Sequence, residues 1–207
     1  MITACIIQAR MTSKRFPGKT LAVLAGKTVL ARVLERAKII PGVDKVVCAF
    51  PMDDASLPIL ELCREQRVIA FAGDENDVLS RYYEAAKSVN ADIIMRITAD
   101  CPFIDPILCG FLLEKLKKNN YDYISNIYPE RTFPKGHDCE VFTFDCLEAA
   151  HLNAEDPYQR EHVTPWMQTT PGINRGIMSS KMDFSEVNYC VDYPEDIKRL
   201  EDMLRKS

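Results

Sequence analysis

A single three-layer α/β domain with a mainly parallel sheet is the fold class that this 207-residue sequence predicts, and three observations carry the expectation. Short apolar runs alternate with segments of helical periodicity as far as about residue 118, the rhythm of strand and helix joined by right-handed crossovers. The apolar runs lack a polar alternation, as strands covered on both faces do. A composition of 47% hydrophobic and 27% charged residues is ordinary for a globular chain, and this length suffices for one core, so residues 1–207 read as one unit.

The elements follow in order. Residues 2–7, 45–50, 68–71 and 92–97 are the apolar runs and read as strands. The first predicted helix opens at a Thr28 cap, shows Val29, Leu30, Val33, Leu34 and Ala37 at helical spacing, and closes at Pro41-Gly42. Residues 54–65 and 77–89 repeat the pattern, the latter behind an Asp77 cap. A helix from Asp105-Pro106 to about Lys118 follows, and then shorter mixed segments run through Gly136 to Phe144. Helices over 145–152 and from Pro194 onward, with Ile197, Leu200 and Leu204 on one face, complete the reading.

Composition excludes several classes. The formal charge of -4 argues against a dedicated nucleic-acid binder. No run approaches the roughly 20 apolar residues that span a bilayer, and the N-terminus lacks the pattern of a secretory leader. Eight cysteines at 5, 48, 63, 101, 109, 139, 146 and 190 form no Cys-x-x-Cys pair and read as small buried hydrophobes of a cytoplasmic protein. His137, His151 and His162 show no zinc spacing. The net charge also conceals an asymmetry: six basic residues and no acid precede Glu35, so the first 34 residues carry +6 and the remainder, with 20 basic and 30 acidic residues, carries -10.

In open parallel sheets ligands bind beyond the carboxyl ends of the strands. The segment IIQARMTSKRFPGK, residues 6–19, leaves the first strand and presents Arg10, Ser13, Lys14, Arg15 and Lys19 at that end. Arginine supplies planar bidentate donors and lysine compact charge, a composition suited to a polyphosphate. Gly18-Lys19-Thr20 resembles the tail of a P-loop, but the first glycine of that motif would fall at Ser13 and Gly26 interrupts the helix that should follow. No two glycines are spaced Gly-x-Gly, which excludes a dinucleotide site of the Rossmann type. Asp100 follows the strand at 92–97, and Asp192 precedes Pro194. Each taken singly reads equally as a turn or cap aspartate.

Gln8-Ala9-Arg10, Ser13, Arg15 and Pro17-Gly18-Lys19 resemble the signature of the sugar nucleotidyltransferases, in particular the cytidylyltransferases that activate sialic acid and 3-deoxy-manno-octulosonic acid, and most closely the spore coat polysaccharide protein F group. GDENDVLSRYYEAA (73–86), TADCPFIDP (98–106), REHVTP (160–165) and VDYPED (191–196) extend the resemblance over almost the whole chain. It implies a Rossmann-like sheet of the GT-A type and a nucleotidyltransferase that moves CMP from CTP to a sugar acid or sugar phosphate, releasing pyrophosphate, for surface polysaccharide synthesis. Its substrates would be a nucleoside triphosphate and a sugar, with no nucleic acid or membrane partner, and a homodimer is compatible with it.

The resemblance also implies residue roles. Asp100 and Asp192 would hold Mg2+, a hard cation that takes one or two carboxylates beside phosphates and water. Arg10, Arg15 and Lys19 would stabilise the departing pyrophosphate while Ser13 orients it, and Arg10, Lys19 and Asp100 form the expected catalytic set. Gln8 and Arg81 are expected near base or ribose. His137, Glu140, Arg160 and His162 are expected on the acceptor side, with Lys135, Asp138 and Glu161 as neighbours. Two rivals are a glycosyltransferase of similar fold, disfavoured because no Asp-x-Asp occurs, and a non-catalytic nucleotide-binding subunit. Release of pyrophosphate separates the three.

Overall fold

A computed structural model describes residues 1–205. Its centre is a seven-stranded sheet in the order β5-β4-β1-β6-β8-β7-β9. The strands are β1 (Thr3–Gln8), β4 (Lys45–Pro51), β5 (Ile69–Gly73), β6 (Ile93–Thr98), β7 (Tyr123–Ser125), β8 (Glu140–Thr143) and β9 (Arg175–Ile177). A small hairpin, β2 (Val23–Leu24) and β3 (Lys27–Thr28), stands apart from the sheet. The four strands expected from apolar runs pair in parallel, β1 with both β4 and β6, and β4 with β5. The sheet becomes mixed beyond β6, where β8 runs antiparallel between β6 and β7.

The two-residue side-chain period of a strand explains why β1 shows no polar alternation. Cys5 and Ile7 enter one core layer, with α1 (Val29–Ala37), α2 (Leu57–Glu65) and α4 (Pro106–Asn119). Ala4 and Ile6 enter the opposite layer, with α3 (Val78–Ser88), α5 (Phe144–Asn153) and α7 (Pro165–Thr169). Both faces are buried along residues 4–7, so these four positions are all apolar, and polar residues appear only at the strand's two ends. The expected caps, Thr28 and Asp77, are in place, and Asp105 adds a third: their side chains accept from amides in the first turns of α1, α3 and α4.

A third, smaller cluster joins Leu24 and Val29 to Val191 and Leu200. It packs the last helix, α8 (Pro194–Leu204), against the hairpin that follows the first loop, and Ala25 donates its amide to Glu201 at 2.8 Å. The two ends of the chain therefore meet beside β1. The chain leaves β1 toward β4 on one side and returns to β6 on the other, so the carboxyl ends of β1 and β6 flank the place where strand order reverses.

Candidate active site

Past Gln8 the backbone turns on itself. The Met11 carbonyl accepts from the amides of Ser13 and Gly18 at 3.0 Å each. Gly18 has a φ of 73°, which glycine adopts without strain. Thr20 Oγ1 then donates to the Arg10 carbonyl at 2.8 Å and closes the loop. Lys19–Leu21 forms a single 3-10 turn and not the long helix that a P-loop requires. Arg10, Ser13, Lys14, Arg15 and Lys19 all face a cleft of about 840 Å³ at the carboxyl ends of β1 and β6. Ser13 Oγ accepts weakly from the Phe16 amide, at 3.4 Å.

Lys19 is the hub. Its Nζ donates to Asp100 Oδ2 at 2.7 Å, to Asp192 Oδ1 at 3.1 Å and to the Val191 carbonyl at 2.9 Å. Arg15 Nη2 reaches the same Asp192 oxygen at 2.5 Å, and its guanidinium lies 5.1 Å from the centre of the Tyr193 ring. Burial alone would raise the Asp100 pKa, but Lys19 outweighs it and holds the carboxyl below its ordinary value. Burial likewise opposes the charge on Lys19, and the two aspartates overcome it and raise its pKa. The side chains of Arg10 and Lys14 have no hydrogen bond or ion pair among the described residues, so their charge faces the cleft unspent.

Two carboxylates thus converge on one cation. Oxygen donors of this kind suit a hard divalent ion such as Mg2+, which needs only one or two protein carboxylates when phosphates complete its shell. Among the described residues there is no group of three or more His, Cys, Asp or Glu able to hold a metal without such help.

Gln8 lines the same cleft with its Oε1 buried and unpartnered, an acceptor waiting for a donor. Arg81, expected near base or ribose, is 3% exposed, donates to the Asp74 carbonyl at 2.6 Å and leaves Nε unpartnered. Burial, helped by Arg10, pulls its pKa down. It sits behind the loop that presents Asn76 and Glu75, and these two residues line the cleft.

The four residues expected on the acceptor side do not come together. Glu140 is buried at the start of β8, where Oε2 accepts from Arg96 at 2.5 Å and Oε1 from Tyr123 at 2.5 Å and Gln168 at 3.1 Å. Every face of that carboxylate is used, so its placement on the acceptor side is corrected: it neutralises a buried arginine. Arg160 is likewise spent, on Asp77 at 2.7 and 2.8 Å and on the carbonyls of His151 and Ala154, which fastens α6 (Pro157–His162) to the cap of α3. His162 is exposed and packs on Tyr158, ring centres 4.4 Å apart. His137 packs on Tyr189 at 5.1 Å, and burial lowers its pKa. Its neighbour Asp138 is paired with Arg131.

The member of REHVTP that does line the cleft is Glu161. The turn after it is unusual: Val163 has φ 72° and ψ -56°, and the Thr164 amide bonds back to the His162 carbonyl at 2.9 Å, a γ-turn of the rare, strained kind. Glu75, Asn76, Thr12 and Thr98 are further cleft residues that sequence reading did not single out. The signal for Glu75 and Asn76 was the Gly73-to-Asp77 loop at the end of a strand, where a ligand was to be expected.

A family model described as cytidylyltransferase matches residues 4–205. The spore coat polysaccharide biosynthesis protein SpsF of Bacillus subtilis is 32% identical over 214 aligned positions, covering 98% of this chain and 86% of that protein. The solved structure of a cytidylyltransferase from Leptospira borgpetersenii superposes with a TM-score of 0.95 at 31% identity, over 100% of this chain and 88% of its own. A CMP-2-keto-3-deoxy-manno-octonic acid synthetase solved in complex with CTP has the same fold, with a TM-score of 0.78 at 19% identity over 100% and 99% of the two chains.

Proposed function

Because the chain belongs to the cytidylyltransferase family, we propose that it moves CMP from CTP to a sugar acid or a sugar phosphate, in the presence of Mg2+, and releases pyrophosphate. One observation supports this reading above the rest: Asp100 and Asp192 converge on the Lys19 ammonium, and Lys19 and Asp100 line one cleft with Arg10, Lys14 and Arg15. A cation bracketed by two carboxylates, beside three more cations of which two have unpaired side chains, is a site for a metal triphosphate.

In this reading Asp100 and Asp192 hold the metal, whose role is to neutralise charge on the reacting phosphates. Lys19 gives up a carboxylate and turns to a phosphate oxygen. Arg10 and Arg15 bind the leaving pyrophosphate, Lys14 adds to the field, and Ser13 orients the chain of phosphates. An acceptor oxygen, the hydroxyl of a sugar acid or a phosphate oxygen of a sugar phosphate, attacks the α-phosphorus in line with the departing oxygen; the bond from that phosphorus to the oxygen bridging to the β-phosphate breaks, pyrophosphate leaves with the electron pair, and a hydroxyl nucleophile gives its proton to solvent. Positioning with charge neutralisation suffices, with no covalent nucleophile. Gln8 Oε1 accepts from the nucleoside. Glu75, Asn76 and Glu161 offer carboxylate and amide groups to sugar hydroxyls. Residues 1–207 act as one nucleotidyltransferase domain in the cytoplasm, for which eight unpaired cysteines are the supporting observation.

The test crosses the four nucleoside triphosphates with sugar acids and phosphorylated sugars and measures pyrophosphate, with mass spectrometry of the product. Metal-dependent pyrophosphate and a CMP-sugar are expected. Release of a nucleoside diphosphate, or of neither, would overturn the reading.

A further inference from the structure

We propose that Asp196 and Arg199, in the first turns of α8, are positioning residues that fix the place of the Asp192 carboxylate; this rests on the reading of Asp192 given above. Asp196 is 8% exposed. Its Oδ2 accepts the amides of Asp192 at 2.8 Å and Tyr193 at 2.9 Å, and its Oδ1 accepts from Arg199 Nη2 at 2.8 Å and Nε at 3.2 Å. Arg199 in turn donates to the carbonyls of Asn188 and of Cys190, the latter at 3.2 Å.

A helix cap explains only part of this arrangement. The capping role of an acidic residue in the first turn needs the amide of the cap residue, here Tyr193. Apart from the pairing of Asp196 with Arg199, the remaining bonds go to residues 188, 190 and 192, which lie outside the helix on the segment that carries Asp192. The far side of that segment is held with equal care: the Val191 amide donates to the Asp100 carbonyl at 2.9 Å and the Val191 carbonyl accepts from Lys19. Backbone groups from 188 to 193 are therefore gripped from α8 on one side and from the reaction centre on the other. Asp196 stays ionised: burial opposes its charge, but Arg199 and the two amides outweigh that and lower its pKa. A short, exposed turn would let Asp192 swing; this one gives its carboxylate a single place.

Arg199→Met separates positioning from capping, since the Asp196 bond to Tyr193 survives it. Amide exchange should speed up across residues 188–193 while α8 stays protected. The kcat for pyrophosphate release should fall 10- to 100-fold, the usual loss when a partner behind a metal-binding carboxylate is removed, with a smaller change in KM for CTP. Arg199→Lys should recover part of kcat, Asp196→Asn should resemble Arg199→Met, and Glu195→Ala in the same turn should leave kcat unchanged. Two results would overturn the inference: kcat within twofold of wild type in both Arg199→Met and Asp196→Asn, or a loss that tracks deprotection along all of α8, since the pair would then serve the helix. A wild-type enzyme that releases no pyrophosphate refutes the functional reading instead, and the exchange pattern still decides whether the pair holds the segment.

Discussion

Strand β6 and the loop beyond it feed two cation–carboxylate contacts of nearly equal length, Lys19 to Asp100 at 2.7 Å and Arg96 to Glu140 at 2.5 Å, and the two differ in everything else. Arg96 and Glu140 are directly opposite one another in the antiparallel register of β6 and β8, and the Glu140 side chain is 2% exposed. Tyr123 and Gln168 complete its shell. Asp100 and Asp192 are each 28% exposed, and among the described residues Asp192 makes its side-chain bonds through Oδ1, leaving Oδ2 for a newcomer. A saturated carboxylate stabilises; one with spare acceptor capacity at a cleft can exchange partners. Spare capacity, more than charge or proximity, distinguishes the pair proposed to hold the metal.

That contrast can be broken in four ways. Asp100→Asn should lower kcat for pyrophosphate release on the order of a thousandfold while the thermal midpoint stays close to wild type; near wild-type turnover would remove Asp100 from the centre. Glu140→Ala should do the reverse, destabilising the fold by about 3–5 kcal/mol because Arg96 is left buried and unpaired. That is a fall on the order of 10 °C in a chain of this size, read by calorimetry. The KM for the sugar should not move in the folded fraction, and a selective rise in that KM would restore Glu140 to the acceptor side. Lys19→Ala should cost on the order of a hundredfold in rate, and a change confined to acceptor affinity would contradict its role. The smallest effect is on acid stability. A depressed native pKa stabilises above the ordinary carboxylate value of 3.8 and that contribution fades as pH falls through the lowered one. In Lys19→Met burial acts on Asp100 with only the Thr98 and main-chain hydrogen bonds against it, so the acid limb of the unfolding curve should shift to higher pH; an unmoved limb would mean Lys19 does not set the Asp100 charge.

Much of this was legible in the sequence because it is local. Four apolar runs became the parallel strands, and the loop of Arg10, Ser13, Arg15 and Lys19 became the wall of the cleft. Asp100 and Asp192, each ambiguous as a turn residue, acquired a shared partner through Lys19. What escaped is set by contacts distant along the chain. Arg160 reads as an acceptor ligand until the fold brings Asp77 to it across 83 positions. Glu140 reads as an acceptor-side residue until antiparallel pairing sets it against Arg96. Arg81 lies on an amphipathic helix, where a solvated charge is the ordinary reading, yet Gly73 lets the backbone of β5 approach close enough to bury its stem. The three-residue strands β7 and β9 are too short to show a period at all.

The bond from Lys19 to Asp192 joins residues 173 positions apart. During synthesis the loop would leave the ribosome well before its second carboxylate follows. A nascent or C-terminally shortened chain could bury β1, β4 and β5 and still have only half a reaction centre. On the proposed reading such a molecule lacks the second metal carboxylate, so pyrophosphate release would report that the chain has been made and folded through Asp192.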